Sequence, residues 1–124
     1  MEMKHLIDFT EKDDEFAEIL VKTGLKKNYA KVLVFLAKNK SLTSRDVERG
    51  TDLRQPEVSI AINHLRKRGW VKISNLLTEN KGRPVKLYTL HISIQDILHE
   101  IESEKSEEFQ QYLDLLSCAR KLIT

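Results

Sequence analysis

Four side chains in the stretch 55–66 could hydrogen-bond to nucleic-acid bases, and their spacing would bring them to one side of a helix. They are Gln55, Ser59, Asn63 and Arg66. Glutamine and asparagine amides can form paired hydrogen bonds with adenine, and an exposed Ile60 could contact the methyl group of thymine. Side chains of these types are suited to contact the edges of bases, with some preference for A·T pairs. The alternative is an ordinary solvated helix face, with Ile60 packed against a following hairpin.

Positive side chains lie on either side of this stretch. The run Arg66-Lys67-Arg68 could bind phosphate, but cations in the last turn of a helix also complement its dipole, and the sequence does not favour one role over the other. Lys81 and Arg83 lie in a predicted turn, where a cation has no helix dipole to complement. Gly82 between them lets the backbone turn or approach a phosphate closely. Contact with DNA phosphates is favoured there over a plain charged turn.

The charge is divided unevenly along the chain. Residues 41–90 hold 10 Lys and Arg against 5 Asp and Glu, whereas residues 91–124 hold 3 against 7 and residues 1–40 hold 8 against 7. A basic middle is expected of a segment that meets a polyanion, although solubility alone can produce the same asymmetry.

Several classes of function are excluded by what the sequence lacks. The histidines are scattered, Cys118 is the single cysteine, and neither a nucleophile motif nor a glycine-rich phosphate loop is present. An enzyme and a cofactor are not expected. Asp96 and His99 would share one helix face, but a metal site needs three or four ligands, so metal binding is the weaker alternative to solvated side chains.

The composition is that of a soluble protein of one main domain. The 124 residues are 40% apolar and 32% charged, and no apolar run approaches the roughly 20 residues that cross a bilayer. The first residues lack the layout of a signal peptide. A cytoplasmic location without membrane attachment is expected.

Apolar periodicity predicts four helices in the first half of the chain. The first spans Asp13 to Lys22. The second, in LKKNYAKVLVFLAKNK, is the expected centre of the core, with a stripe formed by Tyr29, Val32, Leu33, Leu36 and Ala37 and widened by Val34 and Phe35. A short helix in RDVERG follows Ser41, Thr43 and Ser44, which can cap it. A glycine-containing turn leads to the fourth helix, which has Pro56 in its first turn and Val58, Ala61, Ile62 and Leu65 facing the core.

The second half predicts a hairpin and a long helix. WVKISNL and VKLYTLHI are rich in β-branched and aromatic residues, and LTENKGRP separates them. The last helix runs from Ser93 to about Leu122, with apolar residues Ile94, Ile97, Leu98, Ile101, Phe109, Tyr112, Leu116 and Ala119. The interruption ESEKSEE at 102–108 leaves open a bend or a break into two helices.

This order of elements resembles the winged helix-turn-helix transcriptional regulators, the broad group that includes the MarR, ArsR and TrmB-like families. The resemblance is carried by "TGLKKNYAKVLVFLAK", "LTSRDVERGTDLRQPEVSIAINHLRKRGWVKI" and "NKGRPVKLYTL". It implies a mainly α fold with a small β-hairpin, a recognition helix at Gln55 to Arg68 and a wing at Thr78 to Val85. Arg54 departs from the Ser or Thr that often caps this helix, so the cap is expected from elsewhere and Arg54 is a candidate phosphate contact.

The expected organisation is an N-terminal helical segment at 1–23, a winged helix-turn-helix domain at 24–92 and a C-terminal helix at 93–124. The predicted function is sequence-specific regulation of transcription on double-stranded DNA, with Arg54, Pro56 and Ile60 added to the contact residues above. A homodimer through the last helix, assisted by the first, would cover its apolar stripe. The alternative is a helix folded back on its own domain. A winged helix that docks a protein partner instead of DNA is the rival function. The sequence identifies no small-molecule effector.

Overall fold

A computed structural model describes residues 6–78 and 84–124. Along the chain come α1 (Glu11–Lys22), α2 (Lys27–Lys38), α3 (Ser44–Thr51), α4 (Gln55–Lys67), β1 (Val71–Thr78), β2 (Pro84–Leu90) and α5 (Ile94–Leu122). The chain divides into two compact units, one ending at Ser93 and the other formed by Ile94–Thr124. The predicted fold class, mainly α with one small hairpin, is confirmed.

The start of α1 is fixed by a reciprocal cap between Thr10 and Asp13. The Thr10 amide donates to Asp13 Oδ2 at 2.8 Å, and the Asp13 amide donates to Thr10 Oγ1 at 3.3 Å. The same carboxylate lies 2.5 Å from Lys38 Nζ at the end of α2. Burial raises the pKa of Asp13, but the hydrogen bonds from Lys38 and Thr10 outweigh it and hold the pKa below its usual value. The ion pair therefore joins α1 to α2.

Helix α2 is the centre of the core, as predicted. Its residues Val32 to Leu36 are all buried, so neighbouring elements surround the helix on more than one side. Ala37 is exposed, and its predicted place in the buried stripe is wrong. The methyl group of alanine gains only about 0.8 kcal/mol from burial, so apolar spacing alone is a weak guide to its position.

Gly50, in the last turn of α3, lies directly against the ring of Phe35. A Cβ atom at position 50 would be 2.0 Å from Cζ of Phe35 and 2.4 Å from its Cε2. The absence of a side chain at Gly50 therefore lets α3 approach α2 closely. Helix α3 begins with a second reciprocal cap, between Thr43 and Asp46. It ends at Thr51, one residue beyond the predicted end.

The hairpin is antiparallel and is attached to the helices at its base. Val71 pairs with Leu90, and the register shifts between Ile73 and Asn75, which marks a β-bulge. Tyr88 exchanges backbone hydrogen bonds of 2.8 and 3.0 Å with Leu42, the residue before the cap of α3. Residues 79–83, with the predicted wing-tip cations Lys81 and Arg83, lie outside the described residues.

Helix α5 is continuous over 29 residues. The polar segment at 102–108 neither breaks nor ends it, because Glu and Lys are good helix formers and Lys105 pairs with Glu108 at 3.3 Å. Beyond this segment, large apolar side chains are exposed at i, i+3, i+4 and i+7. They are Phe109, Tyr112, Leu113 and Leu116. Within the described ranges, none of the helices combines the length and apolar character that a membrane span requires.

Candidate nucleic-acid interface

The predicted contact face of α4 is exposed. Val58, Ala61, Ile62 and Leu65 are buried and fix the rotation of the helix, which leaves Gln55, Ser59, Asn63 and Arg66 in solvent. Ile60 is 59% exposed. The alternative in which Ile60 packs against the hairpin is therefore wrong, and its side chain is available to a partner.

The first turn of α4 is capped by Glu57. Oε1 of Glu57 accepts a hydrogen bond of 2.9 Å from the backbone N–H of Arg54. The side chain of Arg54 makes no capping hydrogen bond, because a guanidinium has donors only. Glu57 thus supplies one half of a capping box, and the exposed Arg54 and Pro56 lie beside Gln55 at the start of the helix.

Between α4 and β1 lies a groove of about 640 Å³ with a basic lining. Its lining residues are Asn63, Arg66, Lys67, Val71, Lys72 and Ile73. Asn63 and Arg66 were predicted from the spacing on α4. Lys72 was not predicted. The alternation of apolar Val71 and charged Lys72 is typical of a strand with one exposed face, and it could have indicated that Lys72 faces solvent.

A second, smaller groove borders α4 where the helix meets the start of α2. It has a volume of about 270 Å³ and is lined by Lys26, Lys27, Asn28, Tyr29, Glu57 and Ile60. Asn28 Nδ2 donates to Glu57 Oε2 at 3.3 Å across this junction. The ring of Tyr29 stacks on the ring of His64 with 4.3 Å between centroids.

The three cations that end α4 do not share one role. The guanidinium of Arg68 lies 4.0 Å from the centre of the Trp70 ring and is half-buried there. Arg66 and Lys67 are exposed. Arg68 therefore packs within the protein, and only Arg66 and Lys67 remain as candidate phosphate contacts.

His64 shows that cations from two helices converge beside α4. Burial lowers its pKa first, and Arg68, Lys26 and Lys67 lower it further by charge repulsion. Lys26 belongs to the start of α2, whereas the other two cations belong to the end of α4. The sequence does not predict that Lys26 lies near the end of α4, because the residues are about 40 positions apart.

We expect this lowered pKa to make the protein less stable in mild acid. As the pH falls through the ordinary range of histidine, the unfolded chain takes up a proton before the folded protein does, so the free energy of unfolding decreases. His64→Gln should remove this part of the pH dependence, whereas His91→Gln, at an exposed position, should not. Urea titrations from pH 8 to pH 5 measure the effect. Equal pH dependence in both variants would contradict it.

Among the residues with described positions, no three His, Cys, Asp or Glu side chains lie where they could hold a metal ion together.

Part of the chain matches a known protein family. Residues 23–75, from the end of α1 into β1, match the model of the MarR family. The predicted resemblance to winged helix-turn-helix regulators is thereby confirmed, and the residues that line the grooves on both sides of α4 all lie within residues 23–75. No curated protein sequence matches the chain.

Solved structures of similar fold extend the likeness beyond residues 23–75. TrmBL2, an archaeal chromatin protein with a novel mode of DNA binding, has a TM-score of 0.71 at 17% identity over 90% of this chain, which spans only 41% of the TrmBL2 chain. A possible transcriptional regulator from Methanosarcina mazei has a TM-score of 0.60 at 18% identity, covering 90% of this chain and 97% of its own. Apo MarR from E. coli has a TM-score of 0.52 at 19% identity, covering 83% and 74%. These likenesses show the winged-helix fold.

Proposed function

We propose that the protein is a transcriptional regulator that binds double-stranded DNA, with α4 in the major groove and the hairpin against the backbone or the minor groove. The MarR-family match supports this class and argues against an enzyme. The observation that carries the proposal is the exposed polar face of α4, which has a basic groove on each side. A helix positioned in this way can read base edges while its neighbours contact phosphate.

Sequence discrimination is assigned to the N-terminal half of α4. Gln55 and Asn63 would form paired hydrogen bonds with adenine, Ser59 would donate or accept, and Ile60 and Pro56 would make apolar contacts with thymine methyls or sugar. All five side chains are exposed.

The double substitution Gln55→Ala with Asn63→Ala is expected to relax sequence preference. Each two-pronged pair contributes about 1–3 kcal/mol of discrimination between bases. The ratio of the affinity for the preferred site to that for random duplex should therefore fall at least about tenfold. Competition titrations on a selected site and a scrambled site measure this ratio. Gln95→Ala with Gln111→Ala removes two exposed amides from α5 and is the matched control. An unchanged ratio in the α4 variant would exclude these residues from base recognition.

Affinity is assigned to phosphate contacts from Arg54, Arg66, Lys67 and Lys72, which are exposed around α4 and β1. Lys81 and Arg83 of the predicted wing tip are proposed to add contacts to the backbone or the minor groove. Binding should therefore weaken steeply with salt, with a log–log slope of about −0.9 for each phosphate neutralised.

The rival function is a winged helix that docks a protein. It has no need of cations in both grooves beside α4, which is why DNA is the favoured partner. Selection of bound fragments from a random duplex library at stated salt concentrations tests the proposal. Enrichment of a shared sequence with a steep salt slope would support a regulator. Absence of duplex binding, together with capture of a defined protein partner, would favour the rival.

The regulator is proposed to act in the cytoplasm as a homodimer. On α5, Phe109 and Tyr112 are each 64% exposed. Such high exposure is unusual for large aromatic side chains in a folded protein. A second copy would cover this stripe and present two copies of α4 about 34 Å apart, matching a nearly palindromic site. The excess of acidic residues after residue 90 suits a segment that lies away from the DNA, where it does not repel the phosphates. Light scattering at micromolar concentration tests the dimer.

A further inference from the structure

The groove between α2 and α4 continues the proposed DNA interface on its second side. Ile60 lines this groove and also belongs to the exposed face of α4. Glu57, on the α2 side of α4, bonds to Asn28, whereas Asn63 and Arg66 line the other groove, beside β1. The two grooves therefore flank opposite sides of the same helix.

The second groove is basic. Lys26 and Lys27 are exposed, and Lys26 Nζ lies 5.7 Å from the centre of the Tyr29 ring. The one acid in the lining, Glu57, is already engaged, because its two carboxylate oxygens accept hydrogen bonds from the Arg54 amide and from Asn28. Lys26 and Lys27 thus share the groove lining with a carboxylate whose two oxygens already accept hydrogen bonds within the protein. Burial is the largest cause of the lowered pKa of His64, and Lys26 also contributes to that shift by charge repulsion.

The dimensions of DNA decide what such a groove would meet. A major groove is about 12 Å wide and a helix with its side chains is about 10–12 Å across, so an inserted helix has a phosphate backbone on each side. Arg66 and Lys72 would contact the phosphate backbone on the β1 side of α4. On the basis of the proposed DNA-binding function, we propose that Lys26 and Lys27, with the ring of Tyr29, form a second phosphate-contacting edge that holds the opposite DNA strand.

Removal of the two ammonium groups tests this edge. Lys26→Ala with Lys27→Ala should weaken binding to all duplexes similarly and leave base preference unchanged. The log–log salt slope should become shallower by about 1.8, or roughly 0.9 for each lost contact, so that the loss of affinity is about twelvefold greater at 50 mM than at 200 mM salt. Lys26→Arg with Lys27→Arg keeps both charges and should retain the slope. Ethylation interference should show phosphates on one strand that matter to the native protein and not to the alanine variant.

The matched control is Lys12→Ala with Lys40→Ala. Both lysines are exposed, and both lie near the far end of α2, where Lys38 pairs with Asp13. Thermal unfolding of each variant shows whether the fold is intact. A native protein with salt-dependent binding, but with the same slope in the Lys26/Lys27 and control variants, would overturn the second edge and leave the proposed function standing. A native protein without salt-dependent duplex binding would overturn both.

Discussion

Glutamate at both Tyr112 and Leu116 is expected to convert the proposed dimer into monomers and to abolish tight binding to a two-half-site operator. The two residues lie one turn apart on the exposed apolar stripe of α5, so each helix in a pair would bury the new charges against its partner's charges and apolar groups. A monomer binds one half-site without the local concentration that the other half-site supplies, and the expected loss is about 10²–10⁴ in affinity. Light scattering and operator titration measure the two effects.

The control for this variant adds the same charges elsewhere on α5. Gln111→Glu with Cys118→Glu places two carboxylates at exposed positions on the side of α5 opposite the stripe. It should remain dimeric and bind the operator. If the Tyr112/Leu116 variant stays dimeric, the stripe is not the interface. If the native protein is itself monomeric at micromolar concentration, the homodimer proposal is wrong.

Gly50→Ala is expected to destabilise the fold. Alanine would normally improve a helix by about 1 kcal/mol over glycine. At this position its Cβ would meet three ring atoms of the fully buried Phe35 at 2.0 to 2.5 Å, and overpacking of this kind costs about 1–3 kcal/mol or more. The clash outweighs the propensity, and we expect a lower free energy of unfolding in urea and a melting temperature reduced by several degrees.

Two further variants identify the cause of this loss. Phe35→Leu should relieve the clash, so the double variant with Gly50→Ala should be more stable than the sum of the two single effects predicts. Gly69→Ala meets no atom within 4 Å, but it places a side chain at a backbone φ of +77°. Its loss of stability, which comes from the backbone, should be unaffected by Phe35→Leu. A Gly50→Ala protein as stable as the native one would show that α3 can move away from α2 at no cost.

Local sequence signals were sufficient to predict the order of the helices and strands and the exposed face of α4. The spacing of Val58, Ala61, Ile62 and Leu65 predicted which side of α4 is buried, and this alone left Gln55, Ser59 and Asn63 exposed. Such periodicity is a local property of a helix, so it can be recognised without knowledge of the fold. The continuity of α5 was left open, because a break in the apolar pattern does not by itself break a helix that Glu and Lys favour.

The remainder of the site depends on contacts between distant segments. The stacking of Tyr29 on His64 and the approach of Lys26 to α4 are set by how α2 packs on α4, and nothing in either segment alone encodes it. The role of Arg68 was undecided for the same reason, since it depends on the position of the Trp70 ring. Ala37 was misplaced because a short methyl side chain constrains packing weakly.

The attachment of the hairpin has a consequence for control of the protein. Leu42 and Tyr88 exchange two backbone hydrogen bonds, and the Trp70 amide donates to Leu65 of α4, so the base of the hairpin is joined to the helices at both of its strands. Rotation of the hairpin base relative to the helices would break several of these hydrogen bonds at once. In the proposed dimer, a change in affinity for two half-sites would therefore come from a change in the spacing between the two domains, and each domain would keep its own contacts with its half-site.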